Sequence, residues 1–232
     1  DVYKRQVERP VGRPDFMVMA AKQTDGHHPM TARYLDQEKV RKALDSAQSF
    51  GASYADVRVV ALTESTVAMR DGALEKAIPG QELGMTLRVL ADGAWGVHST
   101  TDLASLKDQI ESTTRLAKAV AQRRSPSERP KALAEVPVIE DETHWRSKLD
   151  VRHTELDEKI RLMNEMHSGA TGHDDIVSVR TGWSDEHIHT ELMTTEGMDR
   201  VWSFQRSLIH GMVTARRDGE VVSYRTRHGG QG

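Results

Sequence analysis

Gly51 to Thr100 reads GASYADVRVVALTESTVAMRDGALEKAIPGQELGMTLRVLADGAWGVHST, and the fold turns on this stretch. Two Asp-Gly pairs, Asp71-Gly72 and Asp92-Gly93, lie between runs in which apolar residues recur at every second position. An Asp-Gly pair accommodates the positive φ angles of a type I′ turn, so each pair marks the tip of a β-hairpin. Leu83, Met85, Leu87, Val89 and Ala91 share one face of the clearest strand, with Gly84, Thr86 and Arg88 opposite. Val57, Val59 and Ala61 alternate with Arg58, Val60 and Leu62, which predicts a strand covered on both faces. Val67 and Met69 lead into the first turn, Leu74, Ala77 and Ile78 follow it, and Pro79-Gly80 is expected to break the strand. The stretch thus predicts a four-strand antiparallel meander. In its last strand, Trp95 between glycines reads as a core aromatic beside a close backbone approach, or as a ligand platform.

Amphipathic helices flank the meander. Val40, Ala43, Leu44, Ala47 and Phe50 form an i, i+3, i+4, i+7 stripe, with Asp36 as N-cap and Gly51 beyond the C-terminus. On the other side, a helix capped by Thr101 or Asp102 runs to about Gln122, with Leu103, Leu106, Ile110, Thr114, Ala117 and Ala121 inward. Arg123-Arg124 at its end complement the helix dipole, and a phosphate contact is the alternative reading.

Residues 1–34 show no sustained period and form an expected disordered or artefactual arm, whose opening DVYKRQ resembles translated adapter sequence. Residues 35–124 make the first α/β domain. Residues 125–137, interrupted by Pro126, Pro130 and Pro137, are read as a linker. Residues 138–232 form a second α+β region, read as truncated. It contains a helix from about Val151 to Met166, with Leu156, Ile160, Met163 and His167 on one face, terminated by Gly169 and Gly172. Strands then follow at Ile176 to Val179, His187 to Met193 and Val201 to Ala215, with turns at Glu196-Gly197 and Asp218-Gly219. The glycine-rich end, His228 to Gly232, closes no sheet and could be a flexible tail. The fold class is therefore α/β of the α+β type, an antiparallel meander flanked by helices.

Composition narrows the function. A net charge of −3 argues against a dedicated nucleic-acid binder. With no cysteine, disulfides, thiolate nucleophiles and Cys-ligated zinc are excluded in this chain. No apolar run approaches the roughly 18–20 residues that span a bilayer, and no secretory signal is evident, so a cytoplasmic location is expected. Walker A, dinucleotide-binding, nucleophile-elbow and His-Glu-x-x-His patterns are all missing. Three histidine groupings remain as metal candidates. His27-His28 sits in the arm, and His167 with His173 brackets a helix end. His187-Ile188-His189 would place both imidazoles on one side of a strand, with Glu186 or Glu191 beside them. Zinc needs three or four ligands and only two here have geometry, so polar residues on an exposed strand face explain the pattern equally.

GASYADVR, RDGALEKA and GMTLRVLADGAWGVHST, in that order, resemble the N-terminal domain of the TldD/PmbA family. A fainter likeness continues through TELMTTEGMDRVW and ARRDGEVVSY, so that it covers roughly residues 36–232. The resemblance implies a cytoplasmic zinc metallopeptidase that cleaves unstructured peptides and pairs with a TldD/PmbA-type partner subunit as a hetero- or homodimer. It implies a His-Glu-x-x-x-His helix whose histidines hold zinc while the Glu acts as general base on the bound water. That motif is not in these 232 residues. The expectation is a non-catalytic scaffold portion of such an enzyme, with no catalytic, cofactor-binding or metal residue of its own. The alternatives are a PmbA-like non-catalytic partner subunit and a free-standing peptide-binding module. The Thr195-Glu196-Gly197 turn and the closing Asp218-Gly219 hairpin lean towards TldD.

Overall fold

A computed structural model describes residues 33–125, 127, 133–145 and 147–231. Among them the chain forms α1 (Gln37–Ser49), β1 (Ala52–Arg70), β2 (Ala73–Ala91), β3 (Ala94–Thr100), α2 (Leu106–Arg123) and β4 (Glu140–His144). A short 3-10 turn (Val151–His153), α3 (Leu156–Ala170), β5 (Ile176–Thr194), β6 (Asp199–Arg217) and β7 (Glu220–Gly230) follow. The strands make one seven-stranded sheet in the order β3-β2-β1-β5-β6, with β4 and β7 both paired to β6. His27-His28 and most of the expected arm lie outside the described residues.

The three Asp-Gly pairs make the hairpins they predict. Asp71, Asp92 and Asp218 have φ of 50°, 51° and 52°, each followed by a glycine with positive φ. The first two turns, however, join three strands and not four. β2 runs unbroken through Pro79-Gly80, with Pro79 opposite Ser65 of β1. β3 pairs only with Met85 to Ala91, so at Pro79 the outer side of β2 is an open edge. A proline on such an edge lacks only an N–H that would have had no strand to bond.

All three helices cover the same side of the sheet. Val57, Val59, Met85, Leu87 and Val89 share one face by register and pack with Val40, Leu44 and Ala47 of α1 and Leu106 and Ile110 of α2. Val67, Met69 and Trp183 continue that face and pack under Met163 of α3. Each fully buried aliphatic side chain here contributes roughly 1.5–3 kcal/mol. Asp36 caps α1, accepting from the Glu38 and Lys39 amides at 2.8 and 3.2 Å. Gly51, at φ 92°, ends it. Asp102 caps the turn before α2, accepting from Ala104 N at 2.8 Å, and the helix begins later than predicted. Gly96 is required where α2 crosses β3. A Cβ there would stand 2.4 Å from the Thr113 carbonyl oxygen.

Among the described residues the opposite face carries no helix, so β1 is covered by helices on one side and not on both. Val60 and Leu208 are exposed there. In the second half, the two strands predicted at Ile176 to Val179 and His187 to Met193 are one strand, β5. β5 pairs with β1 from Asp56–Thr194 to Arg70–Arg180, so the regions on either side of residues 125–137 share a continuous sheet. β4, too polar to show as a strand in the sequence, lies parallel to Asp199 to Ser203 of β6. Further along the same edge, β7 pairs with Ser207 to Arg217, and its last residues, Gly229 and Gly230, sit opposite Leu208 and Ser207. The glycine-rich end is strand as far as Gly230.

Candidate functional site

Between the two apolar patches, the helix-covered face changes character. Register places Thr63, Ser65, Asp185, His187, His189, Glu191, Ser203, Gln205 and Ser207 side by side on it. Two-residue periodicity on 19-residue strands carries the same face from one helix layer to the next. Here it carries a polar band across the middle. The band is covered by Tyr34 ahead of α1, by His144 at the end of β4, and by the 3-10 turn.

His187 and His189 do project to one side, as the spacing predicts, but into the protein and not towards solvent. They are only 8% and 5% exposed. Ile188 points to the helix-free face, as does Glu186, which pairs with Arg206. His189 Nε2 lies 3.1 Å from Glu191 Oε1, which also accepts from the Tyr34 amide at 2.6 Å. The Tyr34 ring meets His189 edge-on at 5.5 Å, and burial, with Glu191 nearby, raises its hydroxyl pKa. The His144 ring stacks at 6.4 Å from that of His189, and its nitrogens reach Ser203 Oγ at 2.6 Å and Glu142 Oε1 at 2.7 Å. Burial, followed by the Arg152 guanidinium, pulls the His187 pKa down to about 4, so it is neutral at neutral pH. Asp150 is held at about 2 by hydrogen bonds from Arg152. Gln205 accepts from Val151 N at 3.1 Å and donates to the Leu149 carbonyl, tying the 3-10 turn to the sheet.

Lys159, on the inner face of α3, is the second buried feature. Its Nζ lies 2.7 Å from Asp185 Oδ2, 2.8 Å from Ser65 Oγ and 3.3 Å from the Val151 carbonyl. Asp185 also accepts from Ser65 Oγ at 2.9 Å and from Trp183 Nε1. The Ser-Lys pair does not form an activated nucleophile, because the serine proton goes to Asp185 and the ammonium protons all have acceptors. Around His189, Gln205 and Lys159, donors and acceptors are spent on one another. It is a hydrogen-bonded framework that fixes β4, the 3-10 turn and α3 on the sheet.

The other predicted candidates separate. His167 packs over the Asp71-Gly72 turn, its Nε2 3.2 Å from where a Gly72 Cβ would stand. His173 faces Asp175 at 3.6 Å. Arg123 and Arg124 end α2. Trp95 is neither a helix-covered core aromatic nor an open platform. On the helix-free face it meets Tyr54 edge-on at 5.8 Å, and the Arg88 guanidinium lies 5.8 Å from its ring. Arg88 in turn forks onto buried Asp56, with contacts of 2.7 and 2.9 Å. Sequence reasoning missed Ser65, His144, Lys159, Asp185, Ser203 and Gln205. The available signal was the polar run at alternate positions, Asp185, His187, His189 and Glu191, facing Ser203 and Gln205 at the same period.

Two family models match the chain. PmbA/TldA metallopeptidase domain 1 covers residues 55–122, and the PmbA/TldA metallopeptidase central domain covers residues 149–232. A metalloprotease of Methanocaldococcus jannaschii is 25% identical over 199 residues, which are 85% of this chain and 42% of that protein. A metalloprotease of Methanothermobacter thermautotrophicus is 26% identical over 62% of this chain and 30% of its own length. The chain therefore spans less than half the length of these relatives. Among solved structures, a candidate modulator of DNA gyrase from Thermotoga maritima superposes with a TM-score of 0.67 at 18% identity, over 84% of this chain and 44% of its own. TldE of Thermococcus kodakarensis does so with a TM-score of 0.58 at 14% identity, over 83% and 43%. These likenesses share the α+β fold described above. The metalloprotease names imply a metal in those relatives, and no three His, Asp or Glu side chains among the described residues of this chain converge on a metal position. His189 and Glu191, the best placed, are already engaged with each other. With both domain models matched in order along one continuous sheet, the chain belongs to the TldD/PmbA metallopeptidase family.

Proposed function

We propose that this chain is the scaffold portion of a TldD-like metallopeptidase that hydrolyses unstructured peptides. In this reading, zinc is held by residues outside these 232, the enzyme works in the cytoplasm, and it pairs with a TldD/PmbA-type partner subunit. The observation that carries the reading is the succession of the two family domains on one sheet, supported by the structural hydrogen bonds that engage Ser65, Lys159, Asp185, His189 and Glu191. The sheet's role is to hold the neighbouring catalytic and partner surfaces in register, which suits long strands stiffened by helices on one side.

The test is proteolysis of an unstructured peptide by the purified 232-residue chain, with and without a chelator. We expect no chelator-sensitive cleavage by the chain alone. Cleavage that a chelator abolishes and added zinc restores would overturn the assignment of the metal to residues outside the chain. Adding a partner subunit and measuring mass by light scattering checks the assembly, and failure to form any complex would remove the dimer from the proposal.

A further inference from the structure

The helix-free face carries a concave basic patch that the scaffold role does not use. Two cross-strand rows build it. Arg180, Met212 and Arg225 lie abreast on β5, β6 and β7, and Gly182, His210 and Arg227 lie abreast in the next row. A cavity of about 260 Å³ opens between them, lined by Arg180, His210, Met212, Arg225 and Arg227 above the β6 and β7 backbones. Gly182 makes room for it. A Cβ at that position would stand 2.3 Å from the His210 ring, so only glycine lets the imidazole lie across β5.

The charges in this cavity are unbalanced. Three nearby cations have carboxylates of their own: Arg70 pairs with Glu75, Arg206 with Glu186 and Arg217 with Asp175. Among the described residues, Arg180, Arg225 and Arg227 pair with no carboxylate, and the Arg225 guanidinium donates to the Met212 sulfur at 3.4 Å. Three guanidinium groups around one small cavity repel each other unless an anion sits among them. Planar guanidinium forks match an oxyanion in charge and geometry.

We propose that this cavity binds a single oxyanion, held by Arg180, Arg225 and Arg227 with His210 at its side. A peptide carboxylate and inorganic phosphate share that chemistry. The site itself stands apart from the peptidase reading, and only the peptide as source of the carboxylate rests on it.

The experiment is a binding titration on the 232-residue chain with two probes, inorganic phosphate and an unstructured peptide ending in a free carboxylate, with the C-terminal amide of that peptide as control. The expected result is that phosphate, the acid peptide or both bind, that affinity falls as salt rises, and that R180Q/R227Q weakens binding at least about tenfold. Lys39→Gln, on exposed α1, should leave it unchanged. All three residues are exposed, so the variants should keep the parent's thermal midpoint. Binding of the acid peptide but not its amide assigns the carboxylate to a peptide. Phosphate binding alone keeps the oxyanion site and removes the peptide as its source. No binding of either probe, or binding that R180Q/R227Q leaves intact, would overturn the site.

Discussion

β1 and β5 are neighbours of equal length, yet they fill the same helix-covered face in opposite ways. Inward positions on β1 are Val57, Val59, Ala61, Val67 and Met69, interrupted by Thr63 and Ser65. Those on β5 include Asp185, His187, His189 and Glu191 in unbroken succession. Burial is similar on both strands, but its physical basis is not. On β1 it comes from apolar area removed from water, which tolerates any neighbour of suitable shape. On β5 it depends on each polar group meeting its partner, because an orphaned donor or charge inside the protein costs more than a satisfied one contributes. The apolar strand therefore holds the sheet together, and the polar strand determines which segments may lie on it.

The largest effect should come from breaking the ion pair at the polar end. Lys159→Met leaves Asp185 buried without its cation and should cost about 3–5 kcal/mol, measured by urea denaturation. The double variant Lys159→Met/Asp185→Leu should recover most of that loss, short of the Trp183 hydrogen bond. A double variant as unstable as the single one would show that the pair is not acting as a unit. On the apolar side, Leu87→Ala should cost about 2–5 kcal/mol through lost transfer energy and a cavity, with no dependence on pH. A pH-dependent loss there would blur the contrast between the strands.

The third effect is acid sensitivity. The folded-state pKa of His187, about 4, lies below the ordinary value near 6.5. Between those values the unfolded chain binds more protons than the folded one. Stability is thus intact above about pH 6.5 and falls as the pH drops towards 4, by up to about 3 kcal/mol. Asp150, held at about 2, acts in a lower window, below the ordinary carboxylate range. Denaturation at pH 7 and pH 4.5 should show the loss, and His187→Gln should shrink the difference between the two. An unchanged difference would place the acid sensitivity elsewhere in the band. The smallest expected effect is at the α1 cap, where Asp36→Ala should cost about 1 kcal/mol by the same measurement. A loss as large as that at Leu87 would mean that α1 is held by its end and not by its packed stripe.

The contrast also explains where the sequence was legible. The Asp-Gly turns, the shared face of Leu83 to Ala91, and the α1 and α2 stripes follow from local chemistry, and the structure has them except for Phe50, which lies past the end of α1 and is exposed. β5 looked like two strands because its middle, Trp183 to Glu186, carries no apolar alternation. His187 and His189 looked like an exposed polar face for the same reason. Hydropathy patterns assume that polar means outward, and on β5 the inward positions are polar. β4 was invisible in its five residues, EDETH, because it is held by parallel pairing to a distant strand and not by any pattern of its own.

By itself the sequence determined the turns, the apolar faces, the α1 cap and the order of family motifs, all of which depend on residues close together in the chain. Only the tertiary structure decided that the two halves share one sheet, that a band of histidines and carboxylates is buried within it, and that three arginines surround one cavity. Those features arise from strand pairings between residues far apart in sequence. The partner that satisfies a buried charge, or fails to, is not written beside it in the chain.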